Sequence, residues 1–453
     1  MYIAMPSPAR QAAFEILLRV ETQSSYASDL LHSPLTKELS EREAALCTEL
    51  VLGTLRWQGT LDFVAQSLSE GNWKRFDVQV RVALRLGLYQ LRFLSRVPAH
   101  AAVNESVELV KEAGKSSAAG LVNAVLRKGG DAELASLRPA GMTDLEWQSI
   151  ESSHPAWLLG RWIERYGREP ALALARANNQ PPKTFLRLNT APLDSAQITE
   201  QLLIEGIEVR PGSFLKTSLK VESGNIARTQ AFRRGIVVMQ DEASQIVPHL
   251  LDVQPGQRLL DLCAAPGNKT GLLAQWAGPK GLVVACDIHL HRLRQFTPPP
   301  PRTHVRRVAL DGERTLPFAA EFDRILVDAP CSGTGTLRRN PELKWRLQAS
   351  EIAAMAEKQL RLLDSAAHAL KHGVRMVYST CSMEREENQD VVDKFLKTHP
   401  EFHLLPVRQD AARLRPFFLP AAERLFEGEY LETSPARDSL DGFFAAILVR
   451  APQ

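Results

Sequence analysis

The feature that most constrains the fold is a series of four short apolar stretches in the second half of the chain, each ending at an acidic residue. The stretches end at Asp261, Asp287, Asp311 and Asp328. Short apolar runs bounded by Gly, Pro and polar residues predict buried strands. Strands that alternate with helices form a doubly wound sheet, in which ligands bind at the carboxyl ends of the strands. We therefore expect a Rossmann-like α/β domain with these carboxylates along one edge.

The loop after the first of these strands is suited to a nucleoside ligand. It lacks both the GxGxxG spacing of a dinucleotide site and the GxxxxGK[ST] spacing of a phosphate loop. S-adenosylmethionine, a nucleoside without phosphates, is therefore the preferred ligand. Its ribose would pair with Asp287, its adenine would lie near Asp311, and its aminoacyl end would face the loop. An isolated acid at a strand end could equally be a cap, but the ordered series favours a ligand. The predicted cofactor-binding residues are Cys263, Ala264, Ala265, Pro266, Gly267, Asn268, Lys269, Asp287, Asp311 and Asp328.

Two cysteines are predicted to lie at the same edge of the sheet. Cys331 follows the strand that ends at Asp328, and Cys381 follows the apolar stretch at residues 375–380. These strands are neighbours in the usual order of methyltransferase sheets, so both sulfurs would lie beside the methyl donor. A free cysteine is more often buried as a small apolar residue. Cys47, Cys263 and Cys286 fit this alternative.

Methylation of cytosine at C5 is a reaction in which two neighbouring thiols could both take part. C5 of cytosine is a weak nucleophile, so a thiolate must first add at C6 before C5 can take a methyl group. The C5 proton must then leave before the thiol is eliminated, which needs a base and a means of release. Spacing leaves the two roles open. A helix predicted directly after Cys381 favours that thiol as the nucleophile, because a helix amino end lowers a thiol pKa. The acids of its first turn would partly cancel this effect: Glu384, Glu386 and Glu387.

The first 140 residues are predicted to form an all-α bundle. Five segments carry apolar residues at three- and four-residue steps, with Gly or Pro between them. In the fourth segment, four arginines fall on one face at about 100° per residue. This basic stripe fits either a solvated outer face or a surface that follows an RNA backbone. Its members are Arg81, Arg85, Arg92 and Arg96.

The pattern changes twice more along the chain. Residues 141–180 are predicted to be a helical linker, and residues 181–240 a small α+β module in which strand and helix patterns alternate. The catalytic α/β domain would occupy residues 241–453. Cations of the small module could grip RNA, and the available ones are Arg187, Arg228, Arg233 and Arg234.

The composition and charge of the chain limit the cellular compartment and the binding partners that we expect. The chain has 453 residues and a formal net charge of +3, which permits nucleic acid as a partner without requiring it. No stretch approaches the roughly 20 continuous apolar residues that span a membrane, and the first residues lack the apolar core of a signal peptide. The five cysteines have no CxxC spacing. We therefore expect a cytoplasmic protein with reduced thiols and no metal site.

Two groups of motifs resemble known proteins. EREAALCTELVLGTLRWQGTLD, GLYQLRFLSRVPAHAAVNESVEL and GLVNAVLRK, within residues 6–130, resemble the NusB-type RNA-binding domain at the front of certain rRNA methyltransferases. The module at 181–240 is similar to the RRM-like subdomain of RNA cytosine methyltransferases. DLCAAPGNKT, ACD, ALDGE, VDAPCSGTG, RRNPELKW, YSTCS and DGFFAAILVR, in this order, resemble the bacterial 16S rRNA cytosine-C5 methyltransferases of the Sun/Fmu type. The likeness covers nearly the whole chain.

The resemblance implies roles for individual residues. Cys381, in the TCS motif, would be the nucleophile, and Cys331, in the PCS motif, would assist product release. Asp328 would orient the base or the methyl donor, and the cofactor residues named above would hold S-adenosylmethionine. The implied partner is 16S rRNA or an early assembly intermediate of the small subunit, bound by a monomer. Neither DNA nor a membrane is an expected partner.

Some positions depart from the family pattern. Asn268 replaces the second Gly of the usual CAAPGGK loop, and Asn340 replaces a usual His. Asn tolerates a positive φ better than most residues with side chains, so we expect the turn to survive. Four prolines between Phe296 and His304 cannot continue a helix, so we expect a shortened crossover with an extended linker there.

Other functions fit the motifs less well. A DNA cytosine methyltransferase would use the cysteine of its Pro-Cys motif as the nucleophile and would need no TCS cysteine. An exocyclic-amine methyltransferase would carry an aromatic residue after an Asn/Asp-Pro-Pro motif, where this chain has DAPCS. C5 methylation of another RNA, or a catalytically weak RNA-binding assembly factor, remains the alternative to 16S rRNA methylation.

Overall fold

The computed structural model describes residues 6–69, 73–189, 195–295, 304–319 and 321–453. The chain packs into two compact units. The first comprises the chain up to Pro181 together with Leu337–Leu347, and the second comprises Pro182–Thr336 together with Gln348–Gln453. The proline run, which was predicted to form an extended linker, lies outside the described residues. Of the segment from Phe296 to His304, only His304 is described.

The helices follow the chain order. The first unit contains α1 (Pro8–Thr22), α2 (Ala27–Leu31), α3 (Glu41–Arg56), α4 (Gln58–Leu68), α5 (Val78–Phe93), α6 (Ala99–Glu112), α7 (Ala119–Gly129), α8 (Asp144–Glu151), α9 (Ala156–Tyr166) and α10 (Arg168–Asn178). Further along the chain are α11 (Ser195–Ile204), α12 (Gln230–Arg233), α13 (Glu242–Ile246), α14 (Asn268–Ala277), α15 (Leu290–Leu293), α16 (Leu343–Arg346), α17 (Ala349–Ala369), α18 (Gln389–Thr398), α19 (Val407–Leu414) and α20 (Pro435–Asp438). Of these later helices, α16 belongs to the first unit.

The first unit is all helical, as predicted. A capping box starts α3, in which the Ser40 hydroxyl accepts from the Glu43 amide and the Glu43 carboxylate accepts from the Ser40 amide. The segment predicted to be a helical linker at residues 141–180 contains α8, α9 and α10, and the last two are adjacent in sequence. They are separated by Gly167, whose φ of 82° a residue with a side chain rarely adopts. The all-α prediction is confirmed for the described residues of this unit.

Three arginines of the predicted basic stripe on α5 make hydrogen bonds to other groups of the first unit. Arg85 is buried; it donates to Asp62 at 2.5 and 2.8 Å and also to Glu21. Arg81 donates to Glu21 at 2.7 Å, and Arg92 donates to two backbone carbonyls at 2.8 Å. Buried arginines are held by carboxylates and carbonyls because their donors must be satisfied. Arg85 is therefore unavailable to solvent or to RNA, whereas Arg81 and Arg92 are partly exposed.

The segment Leu337–Leu347, which carries the RRNPELKW motif, is anchored in the first unit by Lys344. The Lys344 side chain is fully buried, and its Nζ donates to the carbonyls of Arg56 and Ser153 at 2.7 and 2.9 Å. A third bond, to Asn179 Oδ1, measures 3.0 Å. Three acceptors match the three N–H groups of an ammonium. The motif is therefore part of the helical unit's interior.

Replacing Lys344 by methionine is expected to destabilise the helical unit by about 2–4 kcal/mol, because three buried acceptors lose their donor. Urea unfolding of the full-length protein, followed by far-UV circular dichroism, measures this change. Lys111→Met is the matched control, since Lys111 is exposed and pairs with Glu108 at the surface. A loss for Lys344→Met no greater than that of the control would contradict the anchoring role.

The small α+β module predicted at the start of the second unit is confirmed. Its strands are β1 (Phe185–Leu188), β2 (Glu208–Pro211), β3 (Ser218–Ser223) and β4 (Val237–Met239), in the antiparallel order β2-β3-β1-β4. Arg187, predicted to grip RNA, is only 3% exposed. Its guanidinium donates to Gln240 Oε1 at 2.8 Å and to the carbonyl of Asn268. The RNA-gripping prediction is therefore wrong for Arg187, which faces inward, whereas the module's other three candidate arginines are exposed.

The second sheet of this unit is mixed. Its strands are β5 (Arg258–Asp261), β6 (Leu282–Asp287), β7 (His304–Ala309), β8 (Phe322–Asp328), β9 (Leu370–Thr380), β10 (Phe402–Leu405), β11 (Leu431–Thr433) and β12 (Phe443–Arg450). The order is β10-β12-β9-β8-β5-β6-β7, with β11 paired to β12. Strands β5 to β9 pair in parallel, and β12 runs antiparallel to β9. The predicted α/β sheet is thus confirmed, and β8 and β9 are neighbours as expected.

Candidate active site

The loop between β5 and α14 turns at Gly267. The φ of Gly267 is 106°, a value that favours glycine over any residue with a side chain. Asn268 is the first residue of α14 and has no positive φ. The turn survives as expected, and its left-handed residue is Gly267, one position before Asn268. The replacement of the family's usual glycine by Asn268 therefore requires no unusual backbone conformation at that position.

Asp287 and Asp311 lie at the ends of adjacent strands. Asp287 is buried, and its carboxylate accepts from the Ala265 amide at 3.2 Å and from the His289 amide at 2.9 Å. Asp311 follows β7 and accepts from the Glu313 amide at 3.1 Å. Asp287 thus fixes the loop that was predicted to hold the cofactor, while both acids stay at the edge where the ligand was expected.

Lys269 and Asp328, predicted from separate motifs, form an ion pair. Lys269 Nζ lies 2.6 Å from Asp328 Oδ2, and the ammonium sits 5.0 Å from the centroid of the Phe443 ring. The Ser379 hydroxyl donates to the other Asp328 oxygen at 2.8 Å. A lysine at a helix amino end is unfavourable against the dipole, so a carboxylate partner accounts for its place. The pair joins the cofactor loop to the strand that precedes Cys331.

Asp261, at the end of β5, is a buried acid with an unsatisfied oxygen. Its Oδ2 accepts from the Thr270 hydroxyl at 2.7 Å, and its Oδ1 has no hydrogen-bond partner among the described residues. Burial raises the pKa of Asp261 to about 7, and the nearby carboxylate of Asp328 adds to the rise. The unsatisfied oxygen is a place where a ligand donor would be accommodated.

Asp261→Asn is expected to change the pH dependence of stability. An acid whose folded-state pKa is raised adds stability below its unfolded pKa and loses it as pH rises through the folded pKa. With a folded-state pKa of about 7, the wild type should lose about 3 kcal/mol relative to Asp261→Asn between pH 5 and pH 8. Calorimetric melting of both proteins across this range measures the difference. Parallel pH profiles would show that Asp261 is ionised at neutral pH.

The two predicted catalytic thiols meet at the ends of β8 and β9. Cys331 Sγ lies 3.2 Å from Cys381 Sγ. The Gly335 amide donates to the Cys381 carbonyl at 2.9 Å, which ties the two turns together. The hydrogen bond to Cys381 and burial raise the pKa of the Cys331 thiol well above its usual value. The two sulfurs are thus within hydrogen-bonding distance, and a proton can be shared between them.

The remaining cysteines lie in apolar or desolvated surroundings. Burial raises the pKa of Cys47 to about 11 and that of Cys286 to about 12. Burial, reinforced by neighbouring acids, also raises the pKa of Cys263 well above its usual value. Since the thiolate is the reactive form, these three thiols are poor nucleophiles.

The helix expected directly after Cys381 starts later. A 3₁₀ turn occupies Arg385–Glu387, and α18 begins at Gln389. Cys381 is thus not at a helix amino end, and the dipole argument for its reactivity is wrong. The assignment of Cys381 as the nucleophile therefore rests on the resemblance of its TCS motif to the family.

Sequence reasoning missed the polar groups behind the thiols. Glu387, one of the acids that were predicted to weaken a helix-dipole effect on Cys381, is fully buried. Ser332 and Ser382, each directly after a cysteine, both donate to it. The repetition of Cys-Ser in the two motifs was the available signal, because it places a hydroxyl at the same offset from each thiol.

The mixed sheet, the cofactor loop and the acids at its edge define an S-adenosylmethionine-dependent methyltransferase. A sequence model described as "16S rRNA methyltransferase RsmB/F" matches residues 248–449; others match the NusB family at 7–130 and an RsmF/B-like ferredoxin-like domain at 154–227. The chain belongs to the RsmB/F family of 16S rRNA methyltransferases.

Relatives of known name match over almost the full chain. The probable ribosomal RNA small subunit methyltransferase B of Bacillus subtilis is 36% identical and covers 96% of this chain and 97% of its own. Ribosomal RNA small subunit methyltransferase B of Pseudomonas syringae pv. tomato is 36% identical over 85% of this chain and 86% of its own. The crystal structure of PH0851 superimposes with a TM-score of 0.80 at 26% identity, covering 99% of both chains.

Membrane-spanning helices and metal-binding clusters are absent from the residues that the structure describes. No helix there has the length and apolar character needed to cross a membrane. Within the same ranges, no group of three or more His, Cys, Asp or Glu side chains is arranged to hold a metal ion.

Proposed function

We propose that this protein transfers a methyl group from S-adenosylmethionine to C5 of a cytosine in 16S rRNA, through a covalent bond between Cys381 and C6 of the base. The observation that carries the proposal is the 3.2 Å separation of two thiols at the ligand edge of a methyltransferase sheet. Methyl transfer to an amine or hydroxyl needs no thiol pair, whereas C5 of cytosine does need a nucleophile at C6. The names of the relatives from Bacillus subtilis and Pseudomonas syringae support small-subunit rRNA as the substrate.

The residues at the edge fit the cofactor. Asp261 offers a buried oxygen that has no partner within the described residues, and Asp287 lies at the end of the adjacent strand. We assign Cys263 to Lys269, Asp287 and Asp311 to cofactor binding. When bound, S-adenosylmethionine supplies an electrophilic methyl group.

Each protein group has a step in the proposed reaction. The Cys381 thiolate adds at C6, and the electron pair of the C5–C6 double bond becomes available at C5 for the methyl group. Asp328, held by Lys269 and Ser379, is placed to hydrogen-bond the base and stabilise charge that develops on it. After the C5 proton leaves to a base, Cys331 donates its S–H proton to the departing Cys381 sulfur. The proton then returns from the Cys381 S–H to the Cys331 thiolate, which restores the Cys381 thiolate for the next turnover, and the base releases the C5 proton to solvent.

Bisulfite sequencing of rRNA tests the substrate assignment. RNA from a strain that lacks the gene is compared with RNA from the same strain complemented by the wild-type gene. We expect one methylcytosine of 16S rRNA to be lost in the first strain and restored in the second. Identical 16S rRNA profiles in the two strains would contradict the assignment.

A further inference from the structure

A single buried carboxylate connects the two cysteine-bearing turns. Glu387 Oε1 accepts from the Ser332 amide at 2.8 Å. Its Oε2 accepts from the hydroxyls of Ser332 and Ser382, each at 2.5 Å. Ser332 directly follows Cys331, and Ser382 directly follows Cys381. One side chain thus holds the residue next to each reactive thiol.

The surroundings of Glu387 supply donors. Gln359 Nε2 donates to Glu387 Oε1 at 3.1 Å and to the carbonyl of Pro330, the residue before Cys331, at 2.9 Å. Burial raises the pKa of Glu387, and the hydrogen bonds from Ser332, Ser382 and Gln359 oppose that rise. An acceptor with donors on both oxygens matches an ionised carboxylate. Such a group is costly to bury unless each bond is kept, so the arrangement is rigid.

The next residue, Asn388, offers a contrast because it supports only one of the turns. Its Nδ2 donates to the Ser382 carbonyl at 2.9 Å, and its Oδ1 accepts from the Thr380 hydroxyl at 2.6 Å. Both partners belong to the Cys381 side. Glu387 and Asn388 are similarly buried neighbours, at 0% and 3% exposure, but only Glu387 reaches the Cys331 side.

We propose that Glu387 is a positioning residue that sets the separation of the Cys331 and Cys381 sulfurs by holding both Cys-Ser turns with one carboxylate. This inference rests on the proposed function, since the separation matters only if both thiols act on one base. Attack at C6 needs Cys381 alone. Release needs Cys331 beside the sulfur that leaves, so loss of the bridge slows release more than attack.

The test separates the two steps in three variants of the full-length protein. Single-turnover reactions with 16S rRNA and S-adenosylmethionine are quenched in denaturant, and the covalent protein–RNA band is followed as it forms and disappears. Glu387→Asp keeps the charge but is one methylene too short to reach both turns. It is expected to slow disappearance of the band about 10–100-fold, the effect of displacing a reacting group by about 1 Å.

Glu387→Gln and Asn388→Ala are the matched variants. The Glu387→Gln side chain keeps the length of glutamate and can rebuild the bridge with the serine hydroxyls as acceptors, so release should recover to within about fivefold of wild type. Asn388→Ala should slow formation of the band without making it accumulate. This pattern separates a bridge between the turns from general support of the fold, which would affect both steps alike.

The outcomes are distinct. Wild-type release in Glu387→Asp would overturn the inference, as would equal slowing of both steps in Glu387→Asp and Glu387→Gln. If Glu387→Asp does not fold, Ser332→Ala removes the hydroxyl bond to Glu387 on the Cys331 side and keeps the bond from the Ser332 amide. It is expected to slow release by a smaller factor than Glu387→Asp, and wild-type release there would overturn the inference. If the wild-type protein methylates no cytosine and forms no adduct, the proposed function fails and takes the inference with it.

Discussion

Cys381→Ala is expected to abolish methylation of 16S rRNA, with a fall in rate on the order of 10⁴-fold or more, as for loss of a covalent nucleophile. Without a sulfur at this position, nothing adds at C6, and C5 stays too weak a nucleophile to take the methyl group. Transfer of a radiolabelled methyl group to 16S rRNA measures the rate. No covalent band should appear on a denaturing gel.

The control for this variant is Cys47→Ala, which removes a buried thiol of the helical unit that has no part in the site. Its methylation rate at a temperature where both proteins are folded should match that of the wild type. A Cys381→Ala protein that still methylates at a wild-type rate would exclude the thiol mechanism. A trapped adduct in Cys381→Ala would instead show that Cys331 is the attacking residue.

Cys331→Ala is expected to form the adduct and fail to release it. The Cys381 sulfur lies 3.2 Å from the sulfur that this change removes, so the proton donor for release is lost while the nucleophile stays. Turnover should fall about 10²–10⁴-fold, the usual contribution of a general acid. A protein–RNA band that resists denaturant should accumulate to nearly one adduct per enzyme.

Two companion measurements sharpen this second prediction. The trapped RNA should already carry the methyl group, since Cys331 acts after transfer; radiolabel from S-adenosylmethionine should therefore migrate with the protein band. The Cys331→Ala, Cys381→Ala double variant should give no band. Release at a wild-type rate in Cys331→Ala would mean that another group donates the proton.

The sequence predicted the elements that local pattern controls. The apolar stretches that end at an acidic residue predicted the strands β5, β6 and β8. Because β8 and β9 were expected to be neighbours, Cys331 was then predicted to lie beside Cys381. The loop composition located α14 and its glycine turn. These features depend on nearby residues and on the fixed order of strands in a doubly wound sheet.

The sequence patterns did not predict which charged side chains are buried. Arg85, Arg187, Lys344 and Glu387 are all buried, although charged side chains are mostly exposed. Each is satisfied by groups distant in sequence, such as the Arg56 and Ser153 carbonyls for Lys344. Periodicity assigns a charged residue to the outer face of a helix, and only tertiary contacts reverse that assignment. The late start of α18 was missed for a related reason, since Glu387 turns inward before the helix begins.

The central claim is that Cys381 bonds covalently to cytosine during methylation of 16S rRNA. Tandem mass spectrometry of the adduct isolated from Cys331→Ala, after digestion with protease and nuclease, tests it most directly. We expect a peptide in which Cys381 carries one cytidine nucleotide with an added methyl group. An adduct on any other residue, or an unmodified Cys381 peptide in a protein that still methylates the rRNA, would contradict it.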